Sequence, residues 1–169
     1  MALSTAVKTV QNQKYLHIVD EKSPGTTGGV FNSGAWRTRI LNTVKVDEIG
    51  TTLSSNQFTL PAGKYRCKII IPAYQVDGHK ARLYNITDSV VVLLSNGGAT
   101  PSNGWNQFLE IVGQFSIAAQ KTFEVQHNCN TSNNDGFGQA SSITATNEIF
   151  TIVEIIKIEE VSVVEFSCT

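Results

Sequence analysis

From Lys64 to Ile71 charged and apolar residues take turns: Tyr65, Cys67, Ile69 and Ile71 alternate with Lys64, Arg66 and Lys68. A period of two places each set on its own face, the pattern of a half-buried strand. Pro61-Ala62-Gly63 predicts the turn that launches it. The alternation recurs in Phe108–Ala118, where Leu109, Ile111, Phe115 and Ile117 lie opposite Glu110, Gln114 and Ser116. It recurs again in Phe123–Cys129, where Phe123, Val125, His127 and Cys129 share a face. Further strands are predicted at Tyr15–Val19, in Ala35–Val46 (one long or two short), at Lys80–Ile86, Val90–Leu94 and Glu148–Ile158, with a short addition at Val161–Phe166. Asp77-Gly78 predicts a hairpin joining the strand that ends at Tyr74 to Lys80–Ile86. Ser23–Gly29, Ser95–Gly104 and Asn130–Ser142 read as loops, and Ile49–Asn56 is polar and turn-rich. Eight to ten strands with regular turn signals and no convincing helix predict an all-β fold, a two-sheet antiparallel jelly-roll sandwich. Residues 13–169 form one domain, and the weakly periodic residues 1–12 are expected to be a flexible N-terminal lead.

Glu148–Ile158 departs from the half-buried rule. Phe150, Ile152, Ile156 and Ile158 occupy one face, while Ile149, Val153 and Ile155 occupy the other. A strand apolar on both faces needs cover on both. With the first set in the core, the second is expected to line an oligomer interface through Ile149, Val153 and Ile155, unless a loop or the C-terminal segment covers it. Glu154 would then mark a polar spot in the interior.

Composition removes several alternatives. The chain of 169 residues is 41% hydrophobic but only 16% charged, with a net charge of −1, so nothing favours nucleic acid as a partner. No apolar run approaches the roughly 20 residues of a membrane helix, and no membrane insertion is expected. Met1–Lys8 lacks the basic start and apolar core of a secretory signal, so a route to the cell exterior needs another mechanism or a leader outside this sequence. Cys67, Cys129 and Cys168 are too few and too widely spaced for a disulfide framework. Cys67 and Cys129 lie on apolar strand faces, as buried thiols or, on neighbouring strands, as a bridge; Cys168 is expected to be exposed.

Candidate chemistry is sparse. His127 and Cys129 share a face and offer two zinc ligands, but no second pair completes a site; a buried thiol beside a hydrogen-bonded histidine fits as well. No Gly-x-Ser-x-Gly elbow is present. Asp77, Asp88 and Asp135 either meet at one end of the sandwich as calcium ligands or are solvated turn residues. Asn85-Ile-Thr87 and Asn130-Thr-Ser132 are glycosylation sequons. No enzymatic activity, cofactor or metal is expected. Binding is instead expected in loops 95–106 and 130–142, whose candidates are Trp105, Asn106, Asn133, Asn134 and Phe137. Aromatic rings among amides suit stacking on a sugar; alternatively Trp105 and Phe137 close the ends of the core.

Phe58-Thr-Leu-Pro-Ala-Gly-Lys-Tyr65 resembles the aromatic-Pro-Gly-Tyr segment of C1q/TNF-like jelly rolls, with Asn42 a looser match upstream. It departs from the C1q heads in having Phe150 followed by Thr151 rather than Gly, and no Gly-X-Y repeat precedes it. Taken with Ser33–Thr43, Leu53–Tyr65, Ala73–Val76 and Arg82–Ser89, the chain looks more like the C1q-like tip domains of virus and bacteriophage fibres. That resemblance implies a non-enzymatic homotrimer on the virion surface, on a fibre or tail, that attaches to a host cell-surface receptor, protein or glycan. The alternative is an extracellular, monomeric carbohydrate-binding module of a larger hydrolase.

Overall fold

The computed structural model describes residues 3–168, with side chains described for residues 7–164. The strands are β1 (Leu3–Lys22), β2 (Arg37–Thr38), β3 (Thr43–Asp47), β4 (Leu53–Ser54), β5 (Gln57–Leu60), β6 (Gly63–Ala73), β7 (Asp77–Asn85), β8 (Val90–Thr100), β9 (Gln107–Ile117), β10 (Lys121–Cys129) and β11 (Glu148–Cys168). One sheet runs β3-β1-β11-β6-β9, the other β4-β5-β10-β7-β8 with β2 paired to β10. Every pairing is antiparallel. Eleven strands exceed the expected eight to ten because β2 and β4 are two-residue pieces that only backbone pairing reveals.

The inner faces close on one core, in which Leu16, Ile18, Tyr65, Ile69, Ile71, Val153 and Ile155 from the first sheet meet Phe58, Leu60, Leu83, Phe123 and Val125 from the second. Tyr65 stacks on Phe115 at 5.4 Å, Phe115 leans on Phe123 at 5.6 Å, and Phe123 stacks on Phe58 at 5.9 Å, so aromatic rings link the sheets. A smaller cluster of Phe31, Ala73, Val76, Cys129 and Phe137 closes one end. The Phe58–Tyr65 motif has a physical reason. The Tyr65 hydroxyl donates to the Pro61 carbonyl at 2.6 Å, folding back over the turn that precedes it. A Cβ on Gly63 would lie 2.8 Å from Lys157 Cε and 3.2 Å from the Tyr65 oxygen, so glycine lets the ring close the turn.

Four sequence expectations are corrected. Residues 3–12, read as a lead, continue β1 and pair with the C-terminal half of β11, from Leu3 opposite Cys168 to Asn12 opposite Glu159. Val161–Phe166 is accordingly part of β11 and not a separate strand. Asp77-Gly78 does not close a hairpin: β6 pairs with β11 and β9, whereas β7 pairs with β10 and β8, so the chain crosses between sheets here. Asp77 adopts φ 56° at that crossing, the conformation the dipeptide signalled in a different context. Ser95–Gly104 is strand as far as Thr100, because its backbone pairs with Asp77–Lys80 although its side chains are small.

Candidate functional site

The two loops singled out by sequence come together. Asn106, the residue before β9, donates its side-chain amide to the Gln139 carbonyl at 2.8 Å and accepts from the Gln139 amide at 2.8 Å. Trp105 is 87% exposed beside this brace, on a turn closed by Gly104 N donating to Pro101 O at 2.7 Å. A hollow of about 390 Å³ lies beneath it, lined by Tyr74, Trp105, Phe108, Gln139, Ser141 and Ile149. Glu148 anchors its far wall by accepting from the Ser141 and Ser142 amides at 3.1 and 3.0 Å. The Ser141 backbone bond, ahead of the other bonds, holds the Glu148 carboxyl below its usual range. Asn133 and Asn134 line a separate polar hollow of about 410 Å³ with Asn32, Ser132 and Asp135. Asn133 is committed to the fold, accepting from the Asp135 amide at 2.8 Å, whereas Asn134 is exposed.

Phe137 is not a ligand contact. It is buried, its ring tilted against Phe31 at 4.7 Å, with the Arg39 guanidinium 4.1 Å from its centroid, so it closes the end of the core. The interface residues are corrected as well. Val153 and Ile155 are fully buried in the sandwich core, and Ile149 alone of the three is exposed, at 40%. The register sets the parity: Val153 pairs with Ile69 and Ile155 with Cys67, both core positions, while Ile156 pairs with Arg66 and Ile158 with Lys64.

The face that β11 turns away from the core therefore carries Ile152, Glu154, Ile156 and Ile158, all half-buried. Phe150, on the same parity, is covered by the chain itself: a Cβ on Gly138 would lie 2.4 Å from its ring, and Gly138 sits at φ +142°. Beyond Phe150 the surface opens. Phe108, Val112, Val44 and Val46 flank it at exposures of 54%, 63%, 42% and 38%. A concavity of about 420 Å³ is bounded by Tyr15, Arg66, Lys68, Val112, Glu154 and Ile156. Tyr15 donates to Glu154 Oε1 at 2.6 Å, and burial, then Glu154 itself, pushes the phenol up to about 12. Glu154 is thus a polar group on the outer face, where the sequence placed it inside.

His127 and Cys129 are both buried, as expected. Cys67 and Cys129 are free thiols, each pushed up to about 11 by burial. The Cys168 side chain lies outside the described residues. Sequence did not anticipate the partner of His127, which is His79 on the neighbouring β7, with His127 Nε2 3.0 Å from His79 Nδ1. His79 Nε2 donates to Gln107 Oε1 at 2.8 Å, so His79 Nδ1 is the acceptor and His127 Nε2 the donor. Both rings are held neutral in this chain of bonds, and burial, the largest cause, depresses both below the ordinary 6.5. The unfolded chain binds protons at these histidines near pH 6.5 and the folded chain does not, so stability falls as pH drops below about 6.5. The expected slope reaches about 1.4 kcal/mol per pH unit for each histidine. Urea unfolding between pH 7 and 5 should show it, and His79→Gln should reduce the slope by about half, leaving the His127 share; a flat profile in the parent chain would count against the bonding assigned here.

Asp77 opens nine-residue β7 and Asp88 is bonded to Asn85 at its other end, roughly 27 Å away by strand rise, so the two cannot share a calcium ion. Asp88 instead pairs with Lys121 at 2.6 Å. Among the described residues no three His, Cys, Asp or Glu side chains are grouped to hold a metal ion.

No family model and no curated protein matches the chain. Solved structures do. Murine APRIL at pH 5.0 is 12% identical, covering 86% of this chain and 99% of that chain with a TM-score of 0.53. The globular domain of the zebrafish complement 1qA protein is 6% identical, covering 84% of this chain and 94% of that chain with a TM-score of 0.55. At these identities the likeness establishes the fold alone: the chain has the two-sheet jelly-roll fold that these two structures share.

Proposed function

We propose that this chain is a non-enzymatic recognition module, the homotrimeric head of a viral or phage fibre, which binds a host-surface receptor through its loops. The observation that carries the reading is the outer face of β11. Ile152, Ile156 and Ile158, each half-buried, lie on the side away from the core, flanked by exposed Val112 and Phe108. Identical copies cover that face in a closed symmetric assembly. The C1q/TNF-like fold and the fibre-tip resemblance of the sequence favour three.

Assembly and binding then divide between surfaces. The outer face of the first sheet holds the copies together. Trp105, Asn106 and the hollow under them, repeated around the axis, contact the receptor, and linkage lets weak single contacts act jointly. Sedimentation is expected to give three times the chain mass. Trp105→Ala is expected to leave that mass and the unfolding midpoint unchanged while lowering attachment to host cells at least about 100-fold, since three contacts weaken together. A chain that sediments as a stable monomer returns the reading to a carbohydrate-binding module. Unchanged attachment by Trp105→Ala removes the loop site.

A further inference from the structure

The second sheet carries a groove of about 490 Å³ on its outer surface, unconnected with the loop hollow or the proposed interface. Trp36 forms one wall. Its ring is fixed in advance by Arg82, whose guanidinium carbon lies 4.0 Å from the indole centroid. Arg82 is itself held against Tyr84 at 4.7 Å and by its Nε donating to Gln126 at 2.7 Å. The indole therefore loses little freedom when something stacks on it.

The floor is bare backbone at Gly97 and Gly98 of β8, paired with Lys80 and His79 of β7. These two glycines have different reasons. A Cβ on Gly98 would lie 2.5 Å from Gln107 Oε1 and 2.8 Å from Leu109, so packing demands glycine there. A Cβ on Gly97 meets nothing within 4 Å, and its φ lies outside the left-handed region. Neither conformation nor packing asks for glycine at 97; its effect is to leave the groove open. Around the rim stand Lys80, Asn128 and Asn130, whose side chains have no hydrogen-bond or ion-pair partner among the described residues. Lys80 is the one ionised side chain in the lining, and no carboxylate opposes it.

We propose that this groove binds a saccharide unit bearing an anionic substituent. A pyranose ring offers a C–H face to the indole and hydroxyls to two side-chain amides, and an uncovered backbone floor lets it approach closely. Lys80 takes the carboxylate or sulfate in a charge-assisted bond. The site lies on the sheet opposite the proposed interface, so it remains open in a trimer, and it does not depend on the loop reading.

The chain has two tryptophans, so Trp105→Ala leaves Trp36 as the sole indole and also disables the loop hollow. In that background Trp36 fluorescence is followed during titration with 3′-sialyllactose, with 3′-sulfolactose, and with lactose as the neutral counterpart. A saturable change with Kd about 1 mM is expected for an anionic sugar, with lactose at least about tenfold weaker. A response to one anionic sugar and not the other supports the site and identifies the group Lys80 accepts. Gly97→Leu, which fills the groove without touching the core, and Lys80→Ala are each expected to weaken binding at least about tenfold at an unchanged unfolding midpoint. No saturable response to either anionic sugar, equal affinity for lactose, or a titration unaffected by Gly97→Leu would overturn the proposal.

Discussion

Arg39→Met is expected to destabilise the folded chain by about 3–5 kcal/mol, among the largest effects a single substitution here can have. Arg39 has no exposed surface. Its Nε donates to Thr151 Oγ1 at 2.8 Å and its Nη2 to the Phe137 carbonyl at 2.8 Å, tying the loop at 137 to β11. Burial pulls its pKa down to about 9, still far enough above neutrality that the guanidinium is charged at pH 7. Asp20 on β1, also without exposed surface, is the counter-charge; Lys22, 3.3 Å from its Oδ1, is the other cation in reach. Burial raises the Asp20 carboxyl, and Lys22, then Arg39, act against that rise. Methionine fills much of the volume of arginine but leaves the Thr151 hydroxyl and the Phe137 carbonyl without their donors and Asp20 with one cation fewer. The damage is thus a buried charge left with Lys22 alone and orphaned polar groups, more than lost packing. Asp20→Asn in the Arg39→Met background should restore part of the loss. Urea denaturation with an unchanged slope measures both terms. A single-mutant loss below about 1 kcal/mol, or a double mutant no better than the single, would show that Arg39 and Asp20 do not act as a pair.

That pair was invisible in sequence, and the reason is general to this fold. Local alternation marks which residues share a face of one strand. It identified Tyr65, Cys67, Ile69 and Ile71 as core, and all four are buried. It also identified Leu109 and Ile111, and the Phe58–Tyr65 motif carried the fold resemblance. Alternation says nothing about a charge whose partner is many residues distant in the chain, as Arg39 is from Asp20 and Thr151. His79 and His127 are the same case, joined only because β7 lies beside β10. β11 failed differently. Both its faces are apolar, so period two is satisfied by either parity, and only pairing with β6 places Ile155 beside Cys67 in the core and Ile156 beside Arg66 outside. In the loops, Trp105 and Phe137 share the same surroundings of Asn and Gly. The buried Arg39 beneath one ring and open surface beneath the other set them apart.

Ile156→Glu is expected to convert the proposed trimer into folded monomers. Ile156 lies outward between Tyr15 on β1 and Arg66 on β6, two residues from Glu154 on the same face. In the separated chain the new carboxylate stands at a half-buried outer position beside Arg66 and leaves Val153 and Ile155 undisturbed, so the cost to the fold is about 1 kcal/mol, the range of strand propensities. In the proposed trimer the same carboxylate would be pressed into apolar surface contributed by another copy and come close to Glu154 and its symmetry mates. Desolvation without a partner costs several kcal/mol per copy. Since each 1.4 kcal/mol changes an equilibrium tenfold, dissociation should strengthen at least about 100-fold. Sedimentation of the variant should give the 18.4 kDa chain mass with a retained sandwich spectrum. Val91→Glu, at an exposed position on the second sheet, serves as the control and should leave the mass unchanged. Because Val153 and Ile155 belong to the chain's own core, Ile155→Glu should instead unfold it. That contrast between neighbouring residues separates an interface from a core: loss of assembly at 156 with folding intact, and loss of folding at 155. An Ile156→Glu chain that keeps the parent's mass would place the contact between copies on another face of the sandwich.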